Sequence, residues 1–189
     1  MVPSLASLVV ASVLLGATVG LSQRPDFARA DANTVRLPPS ALSDLSAALR
    51  ADLDRLGCTV PQTYMRRGAP DNVIHGRFLS PGSPDVAVLC SRAGRSAILV
   101  YRGGEPPAAA ELAALPDATF LQVVDGAGSV GFSRSITVAT AEHIRRHAGR
   151  GGGRPSDVDH HGIEDAFLEK GSSIWYWSDG KWSQRPGAD

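Results

Sequence analysis

The sequence has no excess of either charge: across 189 residues, 19 Lys and Arg balance 19 Asp and Glu. Without net charge there is no long-range field to draw in nucleic acid or an anionic lipid surface, so neither is expected as a partner. Cysteine is nearly absent. Cys58 and Cys90 are the only two, and neither has a His or second Cys at ligand spacing, which argues against a thiolate metal centre. The chain also lacks the H-E-x-x-H of a zincin protease. Gly126-Ala127-Gly128-Ser129-Val130-Gly131 misses the G-x-S-x-G spacing of a nucleophile elbow and the spacing of a dinucleotide loop, and reads as a hairpin turn. What remains, 43% hydrophobic and 20% charged, is the composition of one ordinary globular domain.

The amino-terminal region is set apart from that domain. Leu5 to Leu21 is an apolar run broken only by small residues, and Ala28-Arg29-Ala30 supplies an A-x-A cleavage site. Residues 1–30 therefore read as a signal peptide and residues 31–189 as a single domain. The n-region lacks Lys and Arg and the c-region is long, so an uncleaved anchor is the alternative. The run approaches the ~20 residues needed to span a bilayer, and only then would a membrane be a partner. Either reading places the domain in the periplasm or outside the cell. An oxidising compartment favours a Cys58–Cys90 disulfide, which would stabilise the fold by ~3–4 kcal/mol; two buried free thiols are the alternative.

Along the domain, Leu42, Leu45, Leu49, Leu53 and Leu56 step by three or four behind Ser40 and before Gly57, predicting a core-facing helix over Ser40–Leu56. Val73–Phe78, Asp85–Cys90 and Ser96–Tyr101 read as strands of an antiparallel meander. Val86–Leu89 is apolar throughout, as for a strand covered on both faces. An alanine-rich helix is predicted over Ala108–Leu115, strands over Thr119–Asp125 and Ile136–Ala139, and a short helix capped by Thr140 running to His147. Residues 150–155 read as a flexible loop. A terminal hairpin joins Ser173–Trp177 to Lys181–Ser183 across Ser178-Asp179-Gly180. The expected fold is α+β: one small domain with a mostly antiparallel β-sheet covered by an N-terminal amphipathic helix.

Some of these residues carry a resemblance. Val73-x-x-Gly76-x-Phe78, then Gly82, then Asp85-x-Ala87-Val88, resembles the core of FG-GAP or VCBS-like repeats, whose strands flank an acidic calcium loop and assemble into propeller blades of surface proteins. Here Phe78 to Asp85 keeps the turn and has lost the acidic ligands. The strand candidates are too few for the ~four blades of a propeller, so isolated strand–turn–strand units within one α+β domain are expected. The layout is also similar to secreted bacterial proteins that share G-C-x-x-P-Q (Gly57 to Gln62), N-V-I-x-G-x-F (Asn72 to Phe78), A-V-L-C-S (Ala87 to Ser91) and a D-A-F…W-Y-W block (Asp165 to Phe167, Trp175 to Trp177).

Three groups of residues are candidates for function. Asp157 to Asp165 is one residue from a D-x-D-x-D-G-x-x-D calcium loop: Asp157, Asp159, the Ile163 carbonyl and Asp165 would supply oxygens. His161 stands where a third oxygen ligand belongs, and position twelve is Leu168 in place of a bidentate Glu. The alternative is a turn held by Asx-type hydrogen bonds. Calcium is the only cofactor this pattern suggests. His143 and His147, four apart, could join Asp159, His160 or His161 in a transition-metal site. Trp175, Tyr176, Trp177 and Trp182 gather four of eleven aromatics. Trp175, Trp177 and Trp182 form a candidate binding face for a glycan or protein, with core packing as the commoner fate. The expected function is an exported cell-envelope or extracellular binding or structural module without evident catalytic machinery. The alternative is a metal-dependent hydrolase using His143, His147 and the Asp159–His161 region.

Overall fold

The computed structural model describes residues 25–146 and 158–187. The chain enters through α1 (Phe27–Asn33), β1 (Arg36–Leu37), α2 (Ala47–Arg55) and β2 (Val60–Pro61), with β1 and β2 paired. A meander follows: β3 (Val73–Gly76), β4 (Asp85–Arg92), β5 (Arg95–Tyr101) and β6 (Ala110–Pro116) form the first four-stranded sheet in that order. β7 (Leu121–Val123) and β8 (Val130–Phe132) make a small hairpin. β9 (Arg134–Ala139), α3 (Ala141–Arg146), β10 (Gly162–Phe167), β11 (Gly171–Ser178) and β12 (Lys181–Pro186) complete the chain, and β12-β11-β10-β9 form the second sheet. Every strand pairing is antiparallel, so the fold is α+β and mostly antiparallel sheet.

Alternation along β4 explains how the layers stack. Successive side chains point to opposite faces of a strand. Val86, Val88 and Cys90 face Leu42, Leu45, Leu49 and Leu53, the leucines of α2 and its approach. Ala87 and Leu89 face the second sheet, meeting Ile136 and Ile163, with Trp175, Trp177 and Trp182 packed at the margin. Both faces of β4 are covered, as its apolar run predicts. The outer face of the second sheet is closed by Ile144 of α3 with Val158, over Ile174 and Tyr176. The result is a helix, two stacked sheets and a second helix. Each buried Leu or Ile in this stack contributes about 1.5–3 kcal/mol. The Cys58–Cys90 disulfide, with a Cα–Cα distance of 5.2 Å, pins the end of α2 to β4.

Two helix expectations are corrected. The helix predicted over Ser40–Leu56 is shorter: Pro39–Ala41 form a 3₁₀ turn, and α2 starts at Ala47. Ser46, not Ser40, is the N-cap, its hydroxyl accepting from the Leu49 amide at 3.1 Å. Arg50 donates to the carbonyls of Leu42 and Leu45, satisfying the irregular entry that the leucine spacing disguised. The helix predicted at Ala108–Leu115 is the edge strand β6: pairing with β5 outweighs the helix preference of alanine. The register shifts between Ser96 and Ile98, and Ala113 adopts a left-handed φ of 52°. β10 takes in residues 162–165 of the segment read as a calcium loop. It is held between β9 and β11 by ladders on both sides.

Polar side chains tie these layers together. The buried Asn72 amide donates to the Pro61 carbonyl at 2.7 Å and the Arg134 carbonyl at 3.1 Å, and its oxygen accepts from the Ile136 amide at 2.9 Å. The fully buried Asp85 carboxylate accepts from the Phe78, Leu79 and Gly103 amides at 2.9, 2.8 and 3.0 Å, and from the Ser83 hydroxyl. The aspartate of the repeat-like motif thus holds its own strand–turn–strand unit closed with four protein donors.

Candidate functional site

The inward face of the second sheet is not covered to its end. A cleft of about 630 Å³ opens between edge strand β6 and the inward positions of β10, β11 and β12. The ladder fixes what faces it. Asp165 stands opposite Ser173, Phe167 opposite Gly171, and Trp175 opposite Gln184, so these side chains share one face. Phe120, from the 3₁₀ turn Asp117–Phe120, completes an aromatic floor, its ring 5.6 Å from that of Phe167. Lys170 places its ammonium 4.3 Å from the centroid of the Phe167 ring. The bulge brings Ala113, Ala114 and Leu115 to the opposite wall. A concave site with apolar rings and a few convergent polar groups is the usual form of a small-ligand site.

The electrostatics are simple. Asp165 lies on the cleft wall, but both of its oxygens are taken by Arg134, which donates from Nε at 2.9 Å and Nη2 at 2.8 Å. That leaves the exposed Lys170 as the cleft's uncompensated charge among the described residues. Trp175 lines the wall while its indole N–H is buried without an acceptor, as is that of Trp182. Trp177 and Trp182 stack edge to face at 5.8 Å against the inter-sheet core. Of the three tryptophans proposed as a face, the cleft presents only Trp175.

Ser172 and His143 both approach Glu164. The Ser172 hydroxyl donates to Glu164 Oε1 at 2.7 Å, and Glu164 Oε2 lies 3.8 Å from His143 Nε2. In these contacts the carboxylate lies between serine and histidine, which is not the serine–histidine–carboxylate order of a triad.

The expected calcium residues are dispersed. Asp157 and His147 lie outside the described residues. The Asp159 side chain is mostly exposed and meets His160 Nδ1 at 3.1 Å, while His160 Nε2 is 3.0 Å from the Trp177 carbonyl. His161 Nδ1 accepts from the Arg77 amide at 3.3 Å, and its own amide donates to the Arg77 carbonyl at 2.8 Å. Burial, then Arg77 and His160, push the His161 pKa below the ordinary imidazole value. Ile163 is fully buried and paired with Val138 and Trp175, and Asp165 serves Arg134. Extended backbone from Gly162 onward spreads these groups along a line and does not wrap them around an ion. Among the described residues no group of three or more His, Cys, Asp or Glu side chains is placed to hold a metal ion.

Sequence reasoning missed Phe120, Phe167, Lys170, Ser173 and Gln184 as neighbours. The available signal was the hairpin register. A two-residue turn at Asp179-Gly180 with φ of 51° and 75° puts Gln184 opposite Trp175. The glycine-rich fragment behaves as the expected turn: Asp125 Oδ1 accepts from the Ala127 and Ser129 amides at 3.0 and 2.9 Å, and the Ser129 hydroxyl first, then these amides, lower its carboxyl below the ordinary value.

No family model matches this chain, and neither does any curated protein or solved structure.

Proposed function

We propose that the protein is an exported, non-catalytic binding module of the cell envelope or extracellular space, and that the cleft beside β6 is its ligand site. The cleft itself carries this reading: aromatic rings of Phe120, Phe167 and Trp175 lie beside Ser173, Gln184 and Lys170 in one concavity. Rings supply contact area and the polar groups supply orientation, which is the division of labour in a binding site. The buried Cys58–Cys90 disulfide supports an oxidising compartment. No helix among the described residues is long and apolar enough to cross a membrane.

Screening the exported protein by NMR against short peptides and oligosaccharides tests this. Binding that shifts the Trp175 indole and Gln184 amide signals is the expected result. Ligands that shift only residues outside the cleft, or a hydrolytic product accumulating in the sample, would sink the reading.

A further inference from the structure

We propose that the cleft takes an acidic saccharide, the carboxylate of a hexuronate residue meeting Lys170 while the sugar ring lies along the aromatic floor; this rests on the binding-module reading above. The floor is the first argument. A pyranose presents a flat patch of C–H groups on one face, and Phe120, Phe167 and Trp175 offer rings to cover it.

The second argument is the character of the free polar groups. Neither the Ser173 hydroxyl nor the Gln184 amide has a side-chain hydrogen bond among the described residues. Each can both donate and accept, and sugar hydroxyls require both. Gln184 is the cross-strand neighbour of Trp175, and Ser173 stands two residues before Trp175 on the same face. Ring and hydrogen-bonding groups therefore sit side by side, as a polyhydroxylated ring needs. A purely apolar ligand would leave both polar groups buried and unpaired, which is costly.

Charge selects within the saccharides. Among the described residues the Lys170 ammonium meets the Phe167 ring and no carboxylate, and Arg134 neutralises the carboxylate of Asp165 on the wall. A single free cation among the described residues matches one carboxylate per site and falls well short of what a polyphosphate backbone requires. A peptide would most simply add as a strand to an edge. That is disfavoured here: β6 is broken by the bulge at Ala113 and ends at Pro116, and β12 ends at Pro186.

The test uses the exported chain with trigalacturonic acid and, as the neutral counterpart, galactotriose, followed by NMR at the Gln184 side-chain amide and the three indole signals. The acidic trisaccharide is expected to bind about tenfold more tightly than the neutral one. Lys170→Ala should erase the advantage of the acidic sugar over galactotriose, and Gln184→Ala should weaken binding of both. Both substitutions lie at the cleft rim, and an unchanged near-ultraviolet spectrum checks that the fold is intact. Equal binding of the two sugars, or an acidic preference that survives Lys170→Ala, overturns the inference. If a peptide or galactotriose alone perturbs Gln184, the acidic-saccharide inference falls and the binding-module reading stands. If none of the probes perturbs a cleft residue, both fall.

Discussion

Arg134 and Asp165 form an ion pair enclosed between the two sheets, with the guanidinium fully buried and its Nη2 2.8 Å from the carboxylate. Two of its five N–H groups meet Asp165. The others donate to the Ser96 carbonyl at 2.8 Å, the Ser96 hydroxyl at 3.0 Å and the Ala113 carbonyl at 2.8 Å. The guanidinium also lies 4.6 Å from the Phe120 ring centroid. The pair thus connects β9 and β10 to β5, to the bulge of β6 and to the cleft floor. A buried ion pair of this kind gives little net stability against an apolar substitute, yet leaving one partner alone is expensive.

Removing either partner should therefore cost more than removing both. Arg134→Met or Asp165→Leu leaves a charge without its counter-ion and is expected to destabilise by about 3–5 kcal/mol. The double variant is expected to lose less than the sum of the singles, read as the midpoint shift in denaturant titration. Strictly additive losses would mean that the two residues act independently.

Asp85 gives a second test, because its role is closure of a turn by protein donors. Asp85→Ala strands the buried amides of Phe78 and Leu79, along with the less buried Ser83 hydroxyl and Gly103 amide, and should cost about 3 kcal/mol. Asp85→Asn keeps one accepting oxygen and should lose less. The measurement is equilibrium unfolding of both variants. An Asn variant as damaged as the Ala variant would show that charge matters here and acceptor count does not.

How much of this was legible follows from which forces were local. The doubly covered β4, the Thr140 cap of α3 and the Asp179-Gly180 hairpin are written in short-range pattern and turn chemistry, and they are found as expected. The Cys58–Cys90 pairing followed from compartment alone. Ala110–Pro116 misled because alanine favours helix in isolation, and only the open edge of β5 makes it a strand. The Asp157–Asp165 pattern, whose first residue lies outside the described residues, was ambiguous for a related reason. Aspartates spaced along a strand and along a calcium loop look alike until the partner of Asp165, Arg134, is known from 31 residues away. The cleft was illegible because it depends on where β6 ends relative to the second sheet.

The amino-terminal boundary is open to direct measurement. α1 straddles the Ala28-Arg29-Ala30 site: Asp26 caps it by accepting from the Arg29 amide at 2.9 Å, and Ala30 packs against the inter-sheet core. The Ala30 carbonyl also accepts from the Thr34 hydroxyl at 3.0 Å. A chain beginning at Asp31 loses the cap and the Ala30 contact, so it should be less stable by about 1 kcal/mol than one beginning at Gln23. The intact mass of the exported protein is expected to retain Asp26 to Ala30. A mass matching residues 31–189, with unchanged stability, would place the cut after Ala30.

The His161 imidazole sets an acid limit on stability. Burial first, then Arg77 and His160, lower its folded pKa, so the unfolded chain takes up the proton more readily than the folded one. Its contribution is fully present above the unfolded value of about 6.5 and is lost as pH falls through the lower folded value. Denaturant midpoints measured between pH 7.5 and 5 should decline for the parent protein. His161→Gln, which cannot take up a proton, should flatten that decline while keeping a side-chain acceptor for the Arg77 amide. A decline of equal slope in the variant would assign the acid sensitivity to other groups, with His160, tied to Asp159 and the Trp177 carbonyl, the next to be substituted.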